Sequence, residues 1–305
     1  MKKKVRDRNK VRAVLLTIAA VVFIGFVLLP LSLKVFDGSQ YGNVALIKID
    51  GGITTTGGKL GGVRTIPSEV IVDFIADAEK NSQVEVILLE INSPGGTPVA
   101  TDEIVEAIQK AEKPVIALIR EVGASGGYWV ATAADHIIAN RMAMTGSIGV
   151  RSSWLEFSGL MKEYGVGYEQ VNGGEYKEIV SPFKKMQDDE KELLQKTVDK
   201  IHQYFITGVA ENRDLSVAKV TTLATGEVFL GVEAFNLGLV DQLGNKDTAE
   251  QYIKENYELE EIDYIKYEQE LGFFDLLTGL STDLMFNVGQ GIGSMLLDNN
   301  NLILI

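Results

Sequence analysis

Cysteine is absent from the 305 residues. Its absence excludes disulfides, thiolate metal sites and a lipidated cysteine anchor. Histidine is scarce: only His136 and His202 occur, which leaves little for a histidine-rich metal centre. No cofactor and no metal is therefore expected. Internal repeats are also missing, since the two glycine-rich stretches discussed below each occur once.

What is present is unevenly placed. Residues 1–12 carry a net charge of +6 and the remainder −19, within a total of −13. Nothing in the acidic bulk suggests a nucleic-acid partner. Residues 13–33 follow the basic stretch with 21 uncharged positions. As a helix these would span about 31 Å, close to the hydrocarbon thickness of a bilayer. The expectation is one N-terminal transmembrane helix, a signal anchor with the lipid bilayer as partner. Basic residues before it place the N-terminus in the cytoplasm. A cleavable signal peptide fits less well, because the apolar run is too long and no small-x-small site follows. The expected organisation is then a cytoplasmic segment 1–12, an anchor 13–33, an extracytoplasmic domain 34–270 at the cell membrane, and a tail 271–305. That tail is amphipathic and glycine-interrupted, which argues for a packing surface and not a second span.

Residues 43–50 alternate as a strand does, and a loop rich in glycine and threonine follows over 51–62. Helical periodicity covers 67–80. A buried strand is read at 84–91, a glycine loop at 92–97, a helix at 98–110 and a strand at 114–120. Such alternation, with continuous apolar strands, predicts an α/β fold with a parallel sheet covered by helices. Further on, helices are read at 154–164, 187–212 and 248–257, and short strands at 168–171, 227–230 and 262–267.

The stretch Gly-Ala-Ser-Gly-Gly at 123–127 follows the strand 114–120 and runs into a helix. A serine on such a turn is exposed at a helix N-terminus, where backbone N–H groups favour developing negative charge. The plain alternative is a tight turn with serine as the N-cap. The loop Asn-Ser-Pro-Gly-Gly at 92–96 ends the preceding strand, and ligand sites in parallel sheets lie beyond such strand ends. Its N–H groups, with that of Gly126, are candidates for an oxyanion site.

Ser125 needs a base. His136 is about 16 Å away if the intervening segment is helical, and it opens an apolar strand, so it reads as structural. His202 lies in the long charged helix with Asp199 at i−3. A Ser125–His202 esterase is the rival reading, and a non-catalytic membrane scaffold is another. Lysine is the other possible base, and Lys162, Lys177, Lys184 and Lys185 are all candidates. A lysine working near neutral pH must have its pKa lowered from about 10.4, a difference of roughly 4 kcal/mol that an apolar pocket supplies.

Several motifs in order resemble the bacterial signal peptide peptidase A family, in its short, single-repeat form. They are Ile-Asn-Ser-Pro-Gly-Gly at 91–96, Gly-Ala-Ser-Gly-Gly-Tyr at 123–128 and Ala-Asp at 134–135. Thr-Gly-Ser-Ile-Gly-Val at 145–150, Gly-Glu-Tyr-Lys at 174–177 and Ser-Pro-Phe at 181–183 complete the set. The resemblance implies a Clp-protease/crotonase-like β-α superhelical fold and a serine endopeptidase with a Ser–Lys dyad. It implies Ser125 as nucleophile, Lys177 as general base, Ser147 as the residue orienting the lysine, and Gly95 and Gly96 in the oxyanion loop. It further implies cleavage of apolar peptides, including remnant signal peptides, by a ring-shaped homo-oligomer, an octamer, with the dyad shared between subunits. Glu175 and Glu178 flank Lys177, and Glu175 would share its face on a strand. That glutamate is expected to turn away. The terminal Leu-Ile-Leu-Ile at 302–305 resembles such peptides and is a candidate inhibitory segment.

Overall fold

The computed structural model describes residues 41–60 and 63–268, together with Thr17. The chain opens with strands β1 (Val44–Asp50), β2 (Gly52–Thr54), β3 (Gly58–Leu60) and β4 (Val63–Pro67). Helix α1 (Ser68–Lys80), strand β5 (Val86–Ser93), helix α2 (Pro98–Gln109), strand β6 (Val115–Ala124) and helix α3 (Gly126–Thr132) follow. Next come β7 (His136–Ala139), β8 (Met144–Gly146), helix α4 (Ser158–Glu163), the long helix α5 (Asp188–Asn212) and α6 (Val217–Leu223). The described chain closes with β9 (Val228–Leu230), α7 (Gly231–Leu237), β10 (Gln242–Leu243), α8 (Lys246–Tyr257) and β11 (Tyr264–Tyr267).

The main sheet runs β10-β7-β6-β5-β1-β11, all parallel. Its strands are apolar on both faces because both are covered. Ile47, Leu89, Ala117 and Ile137 point to the layer of α1, α2 and α3, whereas Leu46, Leu88, Leu118 and Ile138 face α8. Each fully buried leucine or isoleucine here contributes roughly 1.5–3 kcal/mol. The expected α/β architecture with a parallel sheet is what the chain forms.

Strand β6 serves two neighbours. Ile116–Ile119 pair with β7, and Val122–Ala124 pair with β8, which in turn pairs antiparallel with β9. A register irregularity between Ile91 and Ser93 accompanies the change of neighbour. Asn92 pins it, with its side-chain carbonyl accepting from Val122 N at 3.3 Å and its amide donating to Asp50 at 3.1 Å. The strand ends carrying both glycine-rich stretches are thereby brought side by side.

Two expectations about local structure need correction. The loop 51–62 contains β2 and β3, which join β4 in a second small sheet ordered β2-β4-β3. The expected strand at 168–171 is absent, and those residues are exposed, unpaired backbone.

The transmembrane helix, and with it single-pass cell-membrane localisation and the lipid bilayer as partner, is also corrected. Among the described residues no helix is long and apolar enough to cross a membrane. The longest, α5, has 25 residues but begins Asp-Asp-Glu-Lys-Glu and carries charge along much of its length. Such a surface cannot face hydrocarbon. The residues proposed for the anchor, 13–33, lie outside the described residues apart from Thr17. So do 1–12 and the tail 271–305 with its terminal apolar segment.

Candidate active site

Ser125 sits between the end of β6 and the start of α3, with φ 52° and ψ −124°. A positive φ at a non-glycine residue is strained, and the strain places the hydroxyl at the apex of the turn. Two backbone bonds hold it there: Ser125 N donates to Gly146 O at 2.8 Å, and Trp129 N donates to Ser125 O at 3.0 Å. The side chain does not cap its own helix. The plain reading of Ser125 as an N-cap is therefore set aside, and its Oγ is left without a hydrogen-bond partner among the described residues.

The turn is braced from behind. Tyr128 is fully buried, and its hydroxyl donates to Leu239 O at 2.8 Å. Burial pushes its phenol well above the ordinary 10.0, so it stays a neutral donor. Trp129 stacks on Phe205 of α5, with ring centroids 5.0 Å apart. Thr145, also buried, donates to Gly123 O at 2.7 Å.

Ser147 is placed by β8. Ala124 pairs with Gly146, so Ser125 and Ser147 follow directly from neighbouring positions on parallel strands. Ser147 likewise has a positive φ of 51°. Its N–H donates to Glu227 O at 2.7 Å and its hydroxyl to Gly226 O at 3.3 Å.

The Pro-Gly-Gly loop packs against the serine from the other side. Gly95 has φ 97°, and a β-carbon on it would lie 2.6 Å from Gly126 N and 3.0 Å from Ser125 Cβ. Only glycine permits that approach. Gly95 is buried, and its N–H donates to the Ser93 hydroxyl at 3.1 Å. Gly96 is exposed and bridges Ile53 in parallel fashion. The bridge uses Gly95 O and Thr97 N, bonded to Ile53 N at 3.0 Å and Ile53 O at 2.9 Å, and leaves the N–H of Gly96 free. Gly126 N, at the start of α3, likewise has no acceptor among the described residues, as the first N–H groups of a helix do not. Gly96 N would lie 3.1 Å from a β-carbon on Gly126, so the residues carrying the two free N–H groups lie against each other beside Ser125.

The candidate bases fall elsewhere. His136 pairs with Ile116 near the opposite end of β6, stacks on Tyr252 at 3.8 Å and contacts Gln242 at 3.2 Å. It is structural, as expected. His202 makes no bond to Ser125 or Asp199. Its Nε2 is buried without a partner, and Asp199 instead accepts from Gln195 at 2.7 Å. The rival Ser-Asp-His arrangement is not formed. Lys184 is paired at 2.5 Å with Glu190. Lys162 and Lys185 line a concavity of about 460 Å³ with Met161, Val166, Tyr168 and Phe183, remote from the turn in sequence and bonded to none of it.

Lys177 lies in a turn within residues 151–189, a stretch in which no residue is buried. It is exposed, and its ammonium has no hydrogen bond or ion pair with a described residue. The feared glutamates are accounted for differently than expected. The segment is a turn and not a strand, Glu178 accepts from the Tyr168 hydroxyl at 3.0 Å, and Glu175 lies by Tyr176, whose phenol it raises. Thus one chain brings together Ser125, Ser147, Gly95, Gly96 and Gly126, and no hydrogen bond or ion pair joins Lys177 to them. Ser93 and Asn92, which shape the loop, were not singled out from the sequence. The only signal was two small polar side chains placed just before Pro-Gly-Gly.

A strained serine at a strand-to-helix turn, beside two unpaired N–H groups on a parallel sheet, is the kind of arrangement that serine hydrolases use for acyl transfer. The chain belongs to peptidase family S49, whose family model matches residues 107–260. The Clp protease family also matches, over residues 61–150. A "putative protease" of Methanocaldococcus jannaschii is 34% identical over 229 residues, covering 74% of this chain and 72% of that one. A "putative signal peptide peptidase SppA" of Enterococcus faecium is 29% identical over 77% of this chain and 69% of its own length. "Protease 4" of Haemophilus influenzae is 34% identical over 59% of this chain but only 30% of its own length. The chain is accordingly a serine peptidase, and the scaffold reading is set aside.

Proposed function

We propose that Ser125 is the nucleophile of an endopeptidase for apolar peptides and that Lys177 of a second copy of the chain is its general base. The observation carrying this reading is the exposure of Lys177 on a segment without a buried residue. A lysine abstracts a proton near neutral pH only when it is desolvated, and an exposed side chain lacks that environment. The same segment exposes Trp154, Leu155, Leu160, Tyr164, Val166 and Val171, which are apolar residues in want of a partner. A second copy that covers them would also cover the lysine.

In this reading the lysine takes the proton of Ser125 as Oγ attacks the scissile carbonyl. The oxyanion that forms is held by the N–H groups of Gly96 and Gly126. Gly95 serves by its lack of a side chain, because its own N–H is already engaged. Collapse expels the amine, which receives the proton from the lysine, and water then hydrolyses the acyl-enzyme by the same steps. Ser147, next to Ser125 on the adjoining strand, orients the arriving amine. The apolar substrate class is the one that the printed name of the Enterococcus relative suggests.

The test is peptidase activity on an apolar peptide, with fluorophosphonate labelling of the serine. Ser125→Ala should abolish both. Lys177→Ala should reduce turnover by at least about 10³-fold, as loss of the base in related dyads and triads does. Normal turnover in either variant would reject the assignment.

A further inference from the structure

We infer that Ser93 is a positioning residue for the oxyanion site, the side chain that fixes which N–H of the Gly95-Gly96 pair faces the reacting carbonyl. This rests on the site proposed above. Ser93 ends β5, is fully buried, and lies opposite Gly123 in the register of β6. Its hydroxyl accepts the N–H of Gly95 at 3.1 Å. Pro94 between them has no N–H to offer. Among the described residues no other side chain is hydrogen-bonded to the backbone of residues 94–96.

The consequence follows from peptide geometry. In a trans peptide the carbonyl and the N–H point in opposite directions. The carbonyl of Gly95 is held by Ile53 N at 3.0 Å, so the N–H of Gly96 points away from Ile53, on the side of Gly126. Two successive glycines leave that unit almost free to rotate. The Ser93 bond holds the preceding peptide, and the Ile53 bond holds this one. Without the first, the unit keeps only the two bonds to Ile53, from Gly95 O and Thr97 N, and loses its restraint on the Pro94 side. Ser93 and Gly95 are both buried, so water does not readily replace the lost acceptor. The free N–H of Gly96 then samples orientations in which it misses the oxyanion. Ser93 touches no substrate, and its whole effect passes through Gly95 and Gly96.

The experiment compares Ser93→Ala with Ser93→Thr in the full chain. The alanine variant should lose roughly 10- to 100-fold in kcat with KM within about twofold, because only transition-state stabilisation is lost. Affinity for a peptide aldehyde, which forms a tetrahedral adduct on Ser125, should fall by the same factor. Threonine keeps the oxygen and should restore kcat to within about threefold. Should the alanine variant not fold, Ser93→Cys, close in size and a weak acceptor, takes its place with the same expectation. Wild-type kcat in the alanine or cysteine variant overturns the inference. So does a parallel loss in kcat, KM and melting temperature that threonine does not relieve. Ser125→Ala in the same assay separates the two levels: if it remains active, the site itself is misassigned. If it is inactive while Ser93→Ala is fully active, only the role of Ser93 falls.

Discussion

Ser125 adopts a backbone conformation that glycine would adopt without strain, and holding a non-glycine residue there costs on the order of 1–3 kcal/mol. The bonds from Gly146 and Trp129, and the burial of Tyr128 behind the turn, enforce it. A trade between stability and activity follows. Ser125→Gly should be inactive and more stable than the parent by about 1 kcal/mol, seen as a higher melting temperature. Ser125→Ala should be equally inactive without that gain, since alanine keeps the β-carbon responsible for the strain. Equal melting temperatures for both variants would show that the turn is unstrained. At this scale the sequence was informative where residue type and chemistry coincide: a serine between glycines after an apolar strand. It was silent on Ser93, whose importance depends on where one N–H points, and on the choice between Gly95 and Gly96. Two adjacent glycines look alike until the bridge to Ile53 distinguishes them.

Long periodic elements were legible because their pattern is set by burial on one face, as in α1, α2 and the apolar strands β5 and β6. The small sheet was not. Ile53 pairs with residues far away in sequence, and Gly52 and Thr54 carry no apolar alternation to reveal it. The error at 168–171 is the converse, since a short stretch without a neighbouring strand leaves backbone groups better served by water. The element that matters most for the proposed base is the junction of the exposed segment with α5. There Glu190, 4% exposed, accepts from Gln187 N at 2.8 Å and Lys184 at 2.5 Å, closing the N-terminus of the helix as a capping box. The Gln187 N–H first, and then Lys184, hold its carboxyl below the ordinary 4.5. A depressed carboxyl pKa contributes stability that is complete above the unfolded value and is lost as pH falls through the folded one. Hydrogen exchange in residues 151–187 should therefore stay flat from neutral pH down to about 4.5 and quicken below it, after correction for intrinsic rates. Glu190→Gln should show the quickened exchange already at pH 7 and lose the acid step. It should also lower turnover while leaving Ser93 and Ser125 in place. Unchanged exchange in that variant would detach Glu190 from the control of this segment.

At the scale of the whole molecule, the proposed dyad requires a second copy of the chain, which neither the residues nor the elements show alone. It sets Ser125, Ser147 and the free N–H groups of Gly96 and Gly126 near one another, and its exposed segment 151–189 carries Lys177 amid exposed aromatic and aliphatic side chains. If each active site takes Ser125 from one copy and Lys177 from the next, the two single variants must complement. In a closed assembly formed from equal amounts of Ser125→Ala and Lys177→Ala chains, a site is intact only when its first copy keeps the serine and its second the lysine. Random assembly gives that arrangement at about one site in four. The mixture, unfolded and refolded together, should recover about a quarter of wild-type turnover, although each variant alone has almost none. The double variant Ser125→Ala/Lys177→Ala mixed with wild type should give the same fraction. A site built within one chain predicts otherwise: no recovery from the two single variants, and half of wild-type activity when the double variant is diluted with the parent.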